Sequence, residues 1–301
     1  MNGVLIIDKP GGMTSHDVVN RVRRMLNQKS VGHLGTLDPM ATGVLALVVG
    51  NLTRLAQFYT AAEKIYEGQI RFGTATDTYD ADGDQVGEAQ EVQLLQEQLE
   101  GLAAKFRGTI QQLPPPFSAK KIKGVPAYKL ARKQKEVPLK AVEVQVKELE
   151  LLNLQHDTVS FRARVSSGTY VRSIAHDMGL LLGCGAHLAS LRRMAVAEFM
   201  LADAVTLEGL AEVIESESFE DVFIHPRKLL PQFPSVTANE EHLGFIRSGR
   251  AVNLPEMSRA RLVKVFEGQR DLIAIATRVA GTLFHPGIVF ATSPEPVARS
   301  H

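Results

Sequence analysis

The pattern of apolar and polar positions predicts short strands interleaved with helices along most of the chain. Val4–Ile7 and Val44–Val49 are apolar runs typical of buried strands, and Lys64–Phe72 alternates as a half-buried strand does. Ala141–Asn153 and Thr158–Ser166 resemble two antiparallel strands. Because strands and helices follow no repeating βαβ period, the pattern favours an α+β fold with a mainly antiparallel sheet over a doubly wound one.

Helical spacing marks three further segments. Thr14 or Ser15 can cap a helix whose apolar positions share one face, namely Val18, Val19 and Val22. Glu91–Phe106 and Tyr170–Leu182 also predict helices, whereas Ala186–Phe199 has a mixed pattern. We therefore expect helices flanking the sheet.

The length of 301 residues suggests one large domain and one small one. A boundary near Pro231–Pro234 gives domains of residues 1–230 and 231–301. In the second, Arg261–Phe290 contains short strand-like runs separated by glycines, which indicates a small β-barrel.

Composition excludes several classes of protein. The hydrophobic fraction of 45% is that of a protein with a full core, and the single cysteine, Cys184, excludes a disulfide framework. No apolar run approaches about 18 residues, so we expect a soluble cytoplasmic protein. The histidines lack metal-ligand spacing, and neither Lys9–Ser15 nor Gly183–Gly185 matches a phosphate-binding or dinucleotide motif. We therefore predict neither a metal nor a cofactor.

The net charge of +1 conceals a strong segregation of charge. Lys105–Lys147 contains eleven Lys and Arg residues against two Glu, whereas Thr76–Glu100 contains eight acidic residues and no Lys or Arg. Within the basic segment, three prolines open a stretch, about residues 114–138, that reads as an exposed insertion carrying a short helix. Charge alone leaves two interpretations open, a solvated surface or a phosphate-binding face.

The most informative stretch is Gly32-His33-Leu34-Gly35-Thr36-Leu37-Asp38-Pro39-Met40-Ala41-Thr42-Gly43. The proline keeps Asp38 out of the helical region, and the glycines allow tight turns and close approach of a ligand. An isolated Asp-Pro pair is more often a helix cap or an Asx-turn. Here the surrounding glycines and His33 favour a functional carboxylate.

This stretch resembles the catalytic signature of TruB-type tRNA pseudouridine-55 synthases. Further blocks resemble the same family in the same order, and together they span roughly residues 3–200: Val4–Pro10 with Gly12–Ser15, Lys64–Tyr66, Thr76–Gly83, Pro116–Lys121, Ser167–Ser173, Gly183–Leu188 and Leu191–Arg193. Beyond about residue 235 the resemblance is looser. There Arg247–Val252 is similar to the start of the small RNA-binding barrel, of the PUA type, that many members carry.

The resemblance implies a cofactor-free isomerase that turns the uridine at position 55 of the tRNA T-loop into pseudouridine. It implies that Asp38 is the nucleophile, attacking either C1′ of the ribose or C6 of the uracil. It places Arg172 as a cation against Asp38, and an opposite charge favours the ionised carboxylate. The remaining pocket residues that it implies are Tyr66 and Tyr170 as aromatic contacts of the base, together with Lys9 and Leu191.

The resemblance also implies RNA contacts outside the pocket. His33 would fill the gap left by the extruded nucleotide, and the basic insertion would close over the RNA stem-loop. The cations expected to contact RNA are Lys120, Lys121, Lys123, Lys129, Arg132 and Arg193. The expected partner is the T-arm of tRNA, bound by a monomer that needs no protein partner.

Two alternatives to this enzyme are a tRNA-binding protein that assists folding without catalysis, and the related guide-RNA-dependent catalytic subunit of archaea and eukaryotes. Asp38, Tyr66 and Arg172 argue against a pure binder, which has no need of a buried carboxylate facing a polyanion. The absence of a lysine-rich tail after the barrel favours the stand-alone enzyme over the guide-dependent subunit.

Overall fold

Two main sheets organise the chain, one of nine strands and one of five. The computed structural model describes residues 2–118, 121–122, 125–126, 139–216 and 222–290. Its strands are β1 Gly3–Lys9, β2 Val31–His33, β3 Thr42–Val49, β4 Lys64–Phe72, β5 Ala75–Thr76, β6 Gln85–Val86, β7 Gly108–Gln112, β8 Lys121–Ile122, β9 Val125–Pro126, β10 Val142–Gln155, β11 Thr158–Val165, β12 Ala186–Val196, β13 Phe199–Met200, β14 Ser235–Thr237, β15 Val252–Asn253, β16 Leu262–Glu267, β17 Asp271–Ala280 and β18 Leu283–Val289. Its α-helices are α1 Ser15–Met25, α2 Gln96–Ala104, α3 Val171–Leu182, α4 Leu207–Glu215 and α5 Glu240–Arg247.

The large sheet has the order β1-β3-β12-β4-β11-β10-β7, with β2 paired to β3 and β13 paired to β12. All of its pairs are antiparallel except β12 with β3. This one parallel contact places the start of β3 beside Arg192 and Arg193 of β12, and β12 in turn runs beside β4. The segments that precede β3, lie on β4 and lie on β12 therefore meet at the centre of the sheet.

Strand β3 is apolar without alternation because both of its faces are buried. Leu45, Leu47 and Val49 join the hydrophobic core on one face, and Val44, Ala46 and Val48 join a second core on the other. The first core includes the apolar face of α1, whose Thr14 cap forms a reciprocal capping box with Asp17. Burial on both sides fixes the position of the loop that precedes β3.

The second sheet, β14-β16-β17-β18-β15, packs against the large one. Phe266, Leu272 and Ile288 contribute to the same core as Val44 and Val48. A 3₁₀ helix, Gly50–Tyr59, contributes Leu52 and Leu55 to that core. The shared core holds the two sheets together.

The α+β architecture expected from the sequence is confirmed, with differences in detail. Helix α2 begins only at Gln96, and the mixed segment Ala186–Phe199 contains one long strand, β12. The expected C-terminal barrel is an open sheet, because its edge strands β14 and β15 do not pair with each other in the described part of the chain. The short helix expected in the basic insertion lies outside the described residues. None of the described helices combines the length and apolarity needed to cross a membrane.

The contact of β3 with β12 yields a prediction about Gly43, whose φ of 97° lies in the left-handed region. A Cβ at this position would overlap the backbone oxygen of Arg193. We expect Gly43→Ala to lower the free energy of unfolding by about 2–5 kcal/mol, measured by denaturant titration. Gly183→Ala is the matched control, because Gly183 has a φ of 74° but open space around it. Equal losses in the two variants would contradict the steric argument.

Candidate active site

The loop between β2 and β3, which carries Asp38, is anchored on both sides of that residue. The backbone N–H of Leu37 donates to Oγ of Ser15 at 2.8 Å, and the Ser15 hydroxyl donates back to the Leu37 carbonyl at 3.1 Å. On the other side, the N–H of Ala41 donates to the Asp38 carbonyl at 3.1 Å. Leu37 and Ala41 are both buried. The backbone on either side of Asp38 is therefore held in place.

Lys9 also binds the loop that carries Asp38. Its ammonium donates to the carbonyls of Pro10, Met13 and Pro39 at 2.8, 2.6 and 3.1 Å, and the residue is fully buried. Burial lowers the pKa of Lys9 to about 8. Lys9 is absent from the walls of the cavity described below, so the expectation that it lines the pocket is corrected. All three ammonium protons are used inside the protein.

Arg193 likewise donates hydrogen bonds to carbonyls of this loop. Its guanidinium donates to the carbonyls of Gly35, Thr36 and Val44 at 3.0, 3.2 and 2.7 Å, and only 1% of the residue is exposed. The expectation that Arg193 contacts RNA is therefore corrected, because a buried guanidinium bonded to three carbonyls cannot reach a phosphate. Sequence reasoning could not foresee this, since arginines are mostly exposed.

Arg172, at the start of α3, joins Asp38 to a second carboxylate. Its Nη2 lies 3.1 Å from Oδ1 of Asp38 and its Nε lies 2.9 Å from Oδ2, while Nη1 lies 3.1 Å from Oδ2 of Asp80. Nη1 and Nη2 also donate to the carbonyls of Thr78 and Phe117 at 3.0 and 3.2 Å. The side chains of Arg172 and Asp80 are about 5% exposed and that of Asp38 is 34% exposed. Only Asp38 of the three presents its charge to solvent.

The surroundings of Asp38 act on its pKa in opposite directions. Loss of hydration raises the pKa, the Arg172 guanidinium lowers it, and the neighbouring carboxylates of Asp80 and Asp82 raise it further. The net effect raises the pKa above its usual range. The carboxylate is therefore easier to protonate than an ordinary Asp, although an arginine faces it.

A cavity of about 520 Å³ opens beside Asp38. Its walls include five of the six predicted catalytic and pocket residues: Asp38, Tyr66, Tyr170, Arg172 and Leu191. These residues lie on the loop before β3, on β4, at the start of α3 and on β12, so the fold brings together positions that are distant in sequence. The cavity wall combines the partly exposed carboxylate of Asp38 with aromatic and aliphatic side chains, which suits a flat polar ring.

Tyr170 is held by its backbone. The N–H of Tyr170 donates to Oε1 of Gln112 at 2.8 Å, and Nε2 of Gln112 donates to the Tyr170 carbonyl at 3.0 Å. Gln112 lies at the end of β7 and is 1% exposed. This reciprocal pair fixes the residue that precedes α3, and with it the direction from which Arg172 reaches Asp38.

Two members of the site had no assigned role in the sequence analysis. Asp80 lies in the acidic loop, and only the fold shows that it pairs with Arg172. Lys64 lines the cavity, donates to the Ala62 carbonyl at 2.7 Å and has a pKa lowered to about 8 by burial and by the charge of Arg193. Both residues lie in segments that resemble the family, Thr76–Gly83 and Lys64–Tyr66, and this resemblance was the one sequence feature that could have indicated them.

The residues expected to contact RNA are only partly described. His33 lies half-buried at the end of β2, where its Nδ1 accepts from the N–H of Gly35 at 3.3 Å, and burial lowers its pKa. Lys121 is on the short strand β8. The other RNA contacts predicted in the insertion lie outside the described residues: Lys120, Lys123, Lys129 and Arg132. Within the described ranges, no group of three or more His, Cys, Asp or Glu side chains could hold a metal ion.

The loop-supporting role of Arg193 gives a prediction on stability. Arg193→Met removes one buried and two partly buried hydrogen bonds to carbonyls, so we expect a loss of about 3 kcal/mol or more in the free energy of unfolding. The neighbouring Arg192→Met is the control. It removes a partly exposed ion pair with Asp8 and should cost about 1 kcal/mol or less. Denaturant unfolding of both variants measures the difference, and an Arg193 variant as stable as the Arg192 variant would contradict the assignment.

Comparison with known proteins identifies the chain's relatives. The model of the TruB family pseudouridylate synthase N-terminal domain matches residues 23–171, and that of the tRNA pseudouridylate synthase B C-terminal domain matches residues 172–230. The tRNA pseudouridine synthase B of Solibacter usitatus is 51% identical over 96% of this chain and 100% of its own length. The protein of that name from Aquifex aeolicus is 42% identical over 94% of this chain and 98% of its own.

Solved structures extend the likeness to the fold. A Cbf5-Nop10-Gar1 complex contains a chain with a TM-score of 0.71 and 25% identity, covering 96% of this chain and 85% of that one. A chain of an H/ACA RNP bound to a substrate RNA containing 2′-deoxyuridine has a TM-score of 0.70 and 23% identity, with the same coverage. The resemblance carried by the Asp38 motif is thereby confirmed, and the chain belongs to the TruB family of pseudouridylate synthases.

Proposed function

We propose that this chain isomerises the uridine at position 55 in the T-loop of tRNA to pseudouridine, with Asp38 as the nucleophile. The observation that carries the proposal is the geometry at the cavity. One carboxylate, partly open to solvent and held against Arg172, faces a space lined by Tyr66, Tyr170 and Leu191. The reaction forms pseudouridine in tRNA, as the names of the relatives that match the chain along almost its whole length indicate.

The chemistry requires one group that can bond to carbon and later leave. The bond from ribose C1′ to N1 of uracil breaks, the base turns, a bond from C1′ to C5 forms, and the proton on C5 is lost. Attack of a carboxylate on C1′ or on C6 begins either route, and both need the ionised form of Asp38. Arg172 favours that form. Tyr66 lies on the cavity wall, and in this proposal it contacts the base and assists removal of the C5 proton.

The target base must leave its stack to enter the cavity beside Asp38. Unstacking costs a few kcal/mol, offset by contacts of the base with aromatic walls and of the RNA backbone with cations. In this proposal, Tyr66 and Tyr170 contact the extruded base, His33 fills its place in the RNA, and the basic insertion contacts the phosphates of the T-arm. The C-terminal sheet is a PUA-like RNA-binding domain, and the chain acts as a monomer without a protein partner.

The two alternative functions are less well supported. A protein that only binds tRNA has no use for an arginine shared between two carboxylates at the base of a cavity. The chains in the Cbf5 and H/ACA complexes share 23–25% identity with this chain, well below the 51% of the tRNA pseudouridine synthase B from Solibacter usitatus. This difference supports the stand-alone enzyme.

Removal of the Asp38 charge tests whether this residue is the nucleophile. We expect Asp38→Asn to lower the single-turnover rate on an isolated T-arm stem-loop by on the order of 10⁴-fold or more, because the amide is not a nucleophile. Binding of the RNA, measured by filter retention, should change by less than several-fold. Asp84→Asn, which removes an exposed carboxylate of the acidic loop, should keep full activity.

Two results would count against the proposal. Pseudouridine formation by the Asn variant at a comparable rate would remove Asp38 from the mechanism. Wild-type protein that binds the stem-loop but forms no pseudouridine without a guide RNA would favour the alternatives.

The raised pKa of Asp38 predicts how the rate depends on pH. Because the ionised carboxylate is the reactive form, the rate should fall as the pH is lowered through this pKa, above the ~4 at which an ordinary Asp titrates. Asp82→Asn removes one negative charge that raises the pKa, so its acid limb should move to lower pH. Asp84→Asn should not move it. Single-turnover rates across pH measure both, and an Asp82 variant shifted to higher pH would contradict this electrostatic account.

A further inference from the structure

The loop that supplies Asp80 contains an unusual backbone conformation. Tyr79 has a φ of 68°, in the left-handed region that a bulky aromatic residue rarely adopts. It lies between Thr78, whose carbonyl accepts from Nη1 of Arg172 at 3.0 Å, and Asp80, whose Oδ2 lies 3.1 Å from the same nitrogen. The strained residue thus joins two groups that hold one guanidinium.

The turn at Tyr79 is bonded to the start of β12. The N–H of Leu188 donates to the Tyr79 carbonyl at 3.0 Å, and the N–H of Ala81 donates to the Leu188 carbonyl at 3.0 Å. The hydroxyl of Thr78 also donates to Oδ1 of Asp80 at 2.6 Å, which leaves Oδ2 of that carboxylate for Arg172. The two backbone bonds form a parallel bridge between Asp80 and Leu188, and the left-handed residue Tyr79 lies directly before it.

The ring of Tyr79 ties this turn to the helix that carries Arg172. Tyr79 and His176 stack with ring centroids 3.7 Å apart and planes inclined by 10°. His176 follows Arg172 by four residues on α3, which places both side chains on one face of the helix, about one turn apart. The loop therefore contacts α3 at two neighbouring points, once through the ion pair and once through the ring stack.

The contact between Tyr79 and His176 includes two energetically unfavourable features. The backbone of Tyr79 is strained, and Nδ1 of His176 is buried with no hydrogen-bond partner among the described residues. Backbone strain persists in a protein only where the surrounding structure requires it. The strain at Tyr79, beside Arg172, therefore indicates that Tyr79 helps to hold that guanidinium.

We propose that the Tyr79–His176 stack is a positioning device that holds the Thr78–Asp80 turn against Arg172 and so fixes the guanidinium in front of Asp38. Neither Tyr79 nor His176 lines the cavity, so we infer that both act through Arg172. The inference rests on the proposed function, in which Asp38 and Arg172 take part in the reaction.

The test separates binding from chemistry in ring variants. We expect Tyr79→Ala and His176→Ala each to lower the single-turnover rate constant about 10-fold, because a small misplacement of a catalytic group is costly. The dissociation constant for tRNA should change by less than about two-fold. The double variant should be no slower than the slower single variant, since both substitutions remove the same contact. Tyr79→Phe and His176→Phe, which retain a stacked ring, should remain close to wild type.

Val86→Ala is the control, because it shortens an exposed side chain on β6, the strand that follows the same loop, and should leave the rate unchanged. A merely structural role would lower the fraction of active protein without changing the rate constant of the remaining molecules. The proposal is wrong if Tyr79→Ala reacts at the rate of Tyr79→Phe, or if the two losses multiply in the double variant. Turnover by Asp38→Asn would instead overturn the proposed function, so the two failures are distinguishable.

Discussion

The guanidinium of Arg172 is the point on which the arrangement of the site depends. A buried cation costs several kcal/mol in lost hydration unless it is paired and its donors are used, and the two Nη groups of Arg172 donate to three separate segments. The loop before β3 supplies Asp38, the acidic loop supplies Asp80 and the Thr78 carbonyl, and the segment after β7 supplies the Phe117 carbonyl. Each segment must therefore adopt its native position for the cation to be satisfied, which couples the packing of the sheet to the geometry of Asp38.

Two other buried cations, Lys9 and Arg193, bind the loop that carries Asp38 and the segments beside that loop. Neither of them lines the cavity. Lys9 and Arg193 together donate to carbonyls of six residues between Pro10 and Val44. A tight loop cannot satisfy its own carbonyls as a helix or a sheet does, so these side chains replace the missing backbone donors. In the proposed reaction, Asp38 is thereby held in place before the substrate arrives, which avoids reorganisation during the reaction.

Much of the fold followed from local pattern, whereas the pairing of charges did not. Strand β4 and the cap of α1 were predictable because alternation and capping are properties of adjacent residues. Strand β12 was not, because its pairing with β4 shifts register at Leu188–Ser190 and Arg193–Ala195, and this breaks the alternation. Asp38 was found through a long motif. The burial of Arg193 depends on contacts between segments far apart in the chain, and no local pattern encodes such contacts.

The charges around Asp38 also bear on its reactivity. A carboxylate fully neutralised by an arginine would be ionised but a weak nucleophile. Here Asp80 and Asp82 oppose Arg172 and Lys9, and the partial loss of hydration acts in the same direction as the two acids. The carboxylate thus keeps more basicity than a simple ion pair would allow. In the proposed function, the cations that attract the RNA therefore lie elsewhere. The concentration of Lys and Arg between Lys105 and Lys147 meets that requirement in the sequence.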